Sequence, residues 1–325
     1  MIVFTMIDDH MKNKFREYYK LSDDQLKELF EDCLFVLDTN VLLDCVRMRP
    51  DLAEKVLTIL ENHGDRVKLP SHATLEYHKH ASEEVAKNLQ KLRNYRKSLD
   101  ENMQFQCFVP QEYSLYLDSG QLSGIEQNFN DFRVKLLTQI KVQIDHWNNE
   151  FQNQKMQNRI ASIFSHSVLA DVTQIDYDNR KNEASKRIEN KIPPGYKDGS
   201  KTENCEGDYF IWCEILDLAS REHRSVIFIS EDLKEDWLQK VGGLTIGPLP
   251  YLRKEFYTRC PDHEIHFYCL SQFLRYADPL HKVITEKEVE EIEHRRALLK
   301  NEDQKAKKNE EIKNRQKNIS SEKGK

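Results

Sequence analysis

Apolar and polar positions follow one rhythm at the two ends of the chain and another in its middle. The run Leu34-Phe35-Val36-Leu37 is continuously apolar and ends in Asp38, the pattern of a strand buried on both faces. Residues 24–31 before it have the spacing of a short amphipathic helix, and TNVLLDCVRM after it is helical in period. Pro50 and Asp51 open a further helix that Gly64 closes, since proline suits a first helical turn and glycine a left-handed cap. RVKLP at 66–70 predicts a second strand, and Pro70-Ser71 start a helix carrying Ala73, Leu75, Glu76 and Tyr77. Strand, helix, helix, strand, helix is the order of a parallel α/β sheet.

Strand signals vanish over residues 82–190, where long polar stretches of helical period predict an insertion. Its clearest feature is one apolar stripe, Ile125, Phe129, Phe132, Leu136, Ile140, Ile144 and Trp147, expected to pack on the domain or on a partner helix. The Pro- and Gly-rich run from Ile192 to Asp208 reads as a loop returning to the sheet. Residues 208–222 then predict a helix with Asp208 in its first turn, and SVIFIS at 225–230 a strand followed at once by Glu231 and Asp232. LTIG at 244–247 and HFYCLS at 266–271 offer two more strands, with SQFLRYA as a closing helix. Beyond Thr285 the chain turns charged and nearly free of aromatics, which predicts a helical stretch to about 300 and then disorder. The domain reading is a helical lead-in at 1–30, one elaborated domain at 31–281 and a charged tail at 282–325.

Composition changes this picture in two ways. A net charge of −6 gives no global attraction for nucleic acid, so a polyanion needs a local basic surface or metal ions among carboxylates. Seven cysteines without a CxxC pair argue against a disulfide framework and a zinc ribbon. The N-terminus lacks a small-residue cleavage site and no run is long enough to span a membrane, so the expectation is a cytoplasmic protein.

Ligands of open α/β sheets bind beyond the carboxyl ends of the strands, and Asp38 and Asp232 both stand at such ends. Glu76 lies early in the helix after the second strand and Asp208 at the start of the helix before the third, so the four acids can converge. Clustered carboxylates stay ionised only beside cations, which points to Mg²⁺ or Mn²⁺. Asp236 is a fifth candidate ligand. Asn40 and Ser230 are supporting candidates beside Asp38 and Asp232. Lys197, Lys201 and Lys234 are the phosphate-contact candidates, with Tyr196 placed to stack on a base. His78 and His80 are two residues apart and do not share a helix face, which argues against a histidine metal pair.

Four runs resemble the motifs of PIN domains: Val36-Leu37-Asp38-Thr39-Asn40-Val41-Leu42-Leu43, Leu69-Pro70 with Leu75-Glu76-Tyr77, Gly207-Asp208, and Ile227-Phe228-Ile229-Ser230-Glu231-Asp232. The likeness covers roughly residues 13–280. The long insertion, the Ile192–Asp198 loop and Lys234-Glu235-Asp236-Trp237 are similar to bacterial PIN-like proteins, some tied to antiphage defence. The chain departs from the pattern after Tyr77, where His78-Lys79-His80-Ala81 replaces a basic residue or an Asn-Arg pair. The resemblance implies a three-layer α/β/α fold with a helical insertion. It also implies a hydrolase that uses Mg²⁺ or Mn²⁺ on nucleic acid, RNA ahead of DNA, with a homo-oligomer or a regulatory protein as a further expected partner. Two other readings stand beside it: a catalytically silent scaffold binding RNA or protein, and a small-molecule phosphatase.

Overall fold

Strand β1 (Leu34–Leu37) is buried at every position and divides its side chains between two cores. Phe35 and Leu37 enter one, Leu34 and Val36 the other, as the two-residue period of a strand requires. The structure, a computed structural model, describes residues 10–110, 112, 116, 118–199, 204–231, 234–299 and 301. The other described strands are β2 (Val67–Lys68), β3 (Val226–Ile229), β4 (Leu238–Val241), β5 (Leu244–Pro248) and β6 (Ile265–Tyr268). Of these six described strands, four form a sheet in the order β2-β1-β3-β6, and every pairing within it is parallel. The LTIG run does not join this sheet. As β5 it pairs antiparallel with β4 in a separate two-stranded ribbon, because Gly242 and Gly243, both at positive φ, close a tight hairpin there.

Helices cover both faces. The lead-in holds α1 (His10–Lys14) and α2 (Asp23–Asp32), the latter opened by a capping box between Ser22 and Gln25. Between β1 and β2 run α3 (Thr39–Arg47) and α4 (Pro50–Asn62). The insertion comprises α5 (Ser71–Asn102), α6 (Phe105–Phe108), α7 (Ser119–Asn153), α8 (Lys155–Ile163) and α9 (Gln174–Asn190). After it come α10 (Gly207–Glu222), α11 (Pro250–Arg259) and α12 (Leu270–Ala277). Helices α2, α3, α4, α5, α7, α8 and α12 line the first core, and α10 and α11 fill the second. The result is the expected α/β/α layering.

Three expectations need revision. The insertion has no boundary near residue 82, since α5 runs unbroken from Ser71 and the helix that carries Glu76 is also the insertion's first arm. The apolar stripe of α7 is core only in its C-terminal half: Ile140, Ile144 and Trp147 are buried, whereas Ile125 and Phe132 are each 57% exposed. Phe129 instead meets the rings of Phe105 and Phe108. The domain also does not stop at 281. Ile284, Val289 and Ile292 are 0%, 0% and 3% exposed within the first core, on or next to a helix spanning 286–299. Among the described residues no helix is long and apolar enough to cross a membrane.

Candidate active site

The chain reverses its direction of strand addition between β1 and β3, and the carboxyl ends of these two strands meet at Asp38. Its backbone N–H donates to the Ile229 carbonyl at 2.9 Å, extending the β1–β3 ladder by one residue. The side chain is 8% exposed and heavily engaged. Oδ1 accepts the Thr39 N–H at 2.7 Å, which caps α3, while Oδ2 accepts the Ser230 hydroxyl at 2.6 Å and the Asn40 amide at 3.3 Å. Asn40 and Ser230 therefore both orient Asp38. The capping role and the strand-end position belong to the same carboxylate.

Glu76 faces Asp38 from the second turn of α5. The Thr39 hydroxyl lies 3.0 Å from its Oε2 and also 3.1 Å from the Ala73 carbonyl. Asn204 donates a short hydrogen bond to Glu76 Oε1, and its own amide oxygen contacts His72 Nε2 at 2.8 Å. Asp208 enters from the first turn of α10, where Trp237 Nε1 lies 3.3 Å from its Oδ2. Gly195, at φ +91°, lies against it so closely that an added Cβ would sit 3.2 Å from the Asp208 Cβ. That approach and that backbone conformation both disfavour a larger residue.

Asp38, Glu76 and Asp208 line one cavity of about 190 Å³ together with Thr39, Asn40, His80, Asp198 and Asn204. Asp198, not singled out from the sequence, is 8% exposed and takes the Lys234 ammonium at 2.7 Å on both oxygens. Burial foremost, then the neighbouring charges of Asp198 and Asp38, push the Asp208 carboxyl up to about 7 against the opposing pull of Lys234. Asp232 and Lys201 lie outside the described residues. Asp236 does not line this cavity. It is fully buried, and its Oδ2 accepts the N–H groups of Gly195 at 3.0 Å and Lys197 at 3.1 Å, so it braces the loop that presents Asp198. The Lys197 ammonium pairs with Glu235 at 3.0 Å and lies 5.9 Å from the Tyr196 ring centre, and neither residue lines the cavity. Lys234 is bound to Asp198 rather than directed outward.

The orientation of Glu76 depends on how α5 begins. Its first N–H groups, those of Ser71 and His72, donate to the buried Glu214 carboxyl at 2.5 and 3.1 Å. Burial raises the Glu214 pKa to about 7, partly offset by those same hydrogen bonds. A carboxyl with a folded pKa above its unfolded value contributes stability below about pH 4.5 and loses it as pH rises through 7. The full loss is about 3 kcal/mol. Urea midpoints measured from pH 5 to 8 should therefore fall with pH by more in the native protein than in Glu214→Gln, which holds a hydrogen-bond acceptor but does not titrate. Parallel profiles for the two proteins would disprove this.

Comparison with known families decides what this arrangement belongs to, since the model of a PIN-like domain matches residues 34–252. The chain belongs to the PIN-like domain family. The match runs from β1 through the start of α11, and so contains every cavity-lining residue named above. PIN-like domains are generally nucleases that use divalent metals. No curated protein and no solved structure matches this PIN-like chain. Among the described residues no group of three or more His, Cys, Asp or Glu side chains is set as it stands to hold a metal ion. Glu76 is tied to Thr39 and Asn204, and Asp198 to Lys234. The donors nonetheless fit a hard cation in kind: all are carboxylates, they share one cavity, and the charge of two of them opposes ionisation of a third.

Proposed function

We propose that this protein is a divalent-metal-dependent nuclease that hydrolyses phosphodiester bonds, acting on RNA in preference to DNA. The observation that carries the reading is the gathering of Asp38, Glu76, Asp198 and Asp208 around one cavity beyond the carboxyl ends of β1 and β3, within a PIN-like domain. The preference for RNA rests on the family resemblance. These four acids would hold Mg²⁺ or Mn²⁺, with Asp232 following β3 as a further donor. Bound there, the ion supplies the positive charge that makes water nucleophilic and phosphate electrophilic at neutral pH.

The protein's own part is preorganisation. Ser230, Asn40 and the α3 N-terminus fix both oxygens of Asp38, and Thr39 and Asn204 fix those of Glu76. Held in this way, the Asp38 carboxylate keeps its place as charge develops on the phosphate, whereas Glu76 and Asp198 would exchange their present partners for the metal. Among the described lysines expected to contact phosphate, Lys234 is the one whose ammonium is held by a cavity-lining acid, Asp198.

The test is cleavage of labelled single-stranded RNA, single-stranded DNA and duplex DNA by the purified protein in Mn²⁺, Mg²⁺ or EDTA, with p-nitrophenyl phosphate in parallel. We expect RNA to be cut fastest, only with metal, and the small ester to survive. Turnover of the small ester alone would assign a phosphatase. Metal-independent RNA binding without cutting would assign a scaffold.

A further inference from the structure

Lys234, on the segment that follows β3, pairs with one acid of the cluster. Its ammonium lies 2.7 Å from each oxygen of Asp198, and the two side chains are 24% and 10% exposed. Asp198 in turn shares the cavity with Asp38, Glu76 and Asp208. The ion pair is not what positions the Asp198 backbone. That segment is held by Asp236, through the Gly195 and Lys197 N–H groups, and by the Asp198 N–H on the Gly195 carbonyl at 3.0 Å. Lys234 thus meets the site at the Asp198 carboxylate, which its two hydrogen bonds orient and whose charge it balances.

We propose that Lys234 is a built-in counter-ion that stands where a divalent cation would otherwise neutralise Asp198, and that it competes with that cation. The inference rests on the metal-dependent reading above. A half-buried ammonium at this distance stabilises the carboxylates without metal, and the same positive charge opposes an entering cation. Lysine suits the role, since its charge sits at the end of a flexible four-carbon stem that can yield its place. Lys234 therefore keeps the metal-free site folded and sets metal affinity below what the carboxylates alone would give.

The experiment compares full-length wild type, Lys234→Met, Lys234→Gln and Lys234→Arg by electron paramagnetic resonance titration of Mn²⁺ and by melting in EDTA and in Mn²⁺. Removing the charge in the Met or Gln variant should tighten Mn²⁺ binding roughly tenfold. It should also lower the melting temperature in EDTA and widen the gap between the EDTA and Mn²⁺ melts. Arginine should keep the wild-type affinity. Equal or weaker Mn²⁺ binding in whichever charge-removed variant folds would overturn the counter-ion role while leaving the metal reading intact. No Mn²⁺ binding by any of the four, wild type included, would overturn the metal reading and this inference with it.

Discussion

Asp38→Asn should lower metal-dependent cleavage by on the order of 10³-fold, about 4 kcal/mol of transition-state stabilisation, while leaving the fold intact. Asparagine caps a helix as well as aspartate does, so its side-chain oxygen can still accept the Thr39 N–H. Ser230 and Asn40 can reorient around a neutral amide. Removing the charge also relieves Asp208, whose ionisation Asp38 opposes. Thermal stability should consequently stay within about 1 kcal/mol of wild type. A purely structural Asp38 would show the opposite: unchanged turnover per folded molecule and a lower melting temperature. Rate per folded molecule, with circular dichroism as the check on folding, separates the two.

Asp38 was legible in the sequence because its signal is local, a carboxylate ending an apolar run. Glu76 and Asp208 were legible for the same reason, each a fixed short distance from a strand or within a helix first turn. Asp198 and Asp236 were not, because their roles depend on a contact across the fold. Both follow polar or irregular segments, and no spacing rule says which of the two faces the cavity. The structure gives Asp236 two backbone N–H groups and Asp198 the Lys234 ammonium, which assigns one to the loop and the other to the site. The Ile192–Asp198 run carried a weak signal for Asp198, since its prolines fix the backbone and Gly195 permits a left-handed turn just ahead of an acid. Likewise β1 and β3 were readable from continuous apolar runs and β2 and β6 from shorter mixed ones, whereas the ribbon of β4 and β5 was not separable from the sheet. A strand's neighbours are set by topology, and a short run such as LTIG has the same composition in either setting.

The C-terminal segment misled for a related reason, and it supplies the largest expected loss of stability. Between Thr285 and residue 300 charged side chains outnumber the apolar ones, and the few apolar residues are too sparse to announce a core helix. Packing shows otherwise: Ile284, Val289 and Ile292 are among the most buried side chains of the first core. Asp278 receives the N–H groups of Lys282, Val283 and Ile284 at 2.9, 2.7 and 2.9 Å, turning the chain into the helix. The charged face then locks on from outside. Lys55 pairs with Glu288 at 2.8 Å, Arg275 with Glu293 at 2.7 Å, and Arg296 donates to the Glu231 carbonyl at 3.1 Å, directly beyond β3. Truncation after residue 281 removes three apolar side chains worth about 1.5–3 kcal/mol each, or roughly 5–9 kcal/mol as an upper range. A domain is stable by only about 5–15 kcal/mol. The 1–281 fragment should therefore lose its cooperative melt and bind a hydrophobic dye, whereas 1–301, which retains the helix, should melt with the full-length chain. A 1–281 fragment that melts cooperatively at the full-length temperature would show that the helix is dispensable. The Arg296 contact would then have no part in holding the end of β3, where Ser230 meets Asp38.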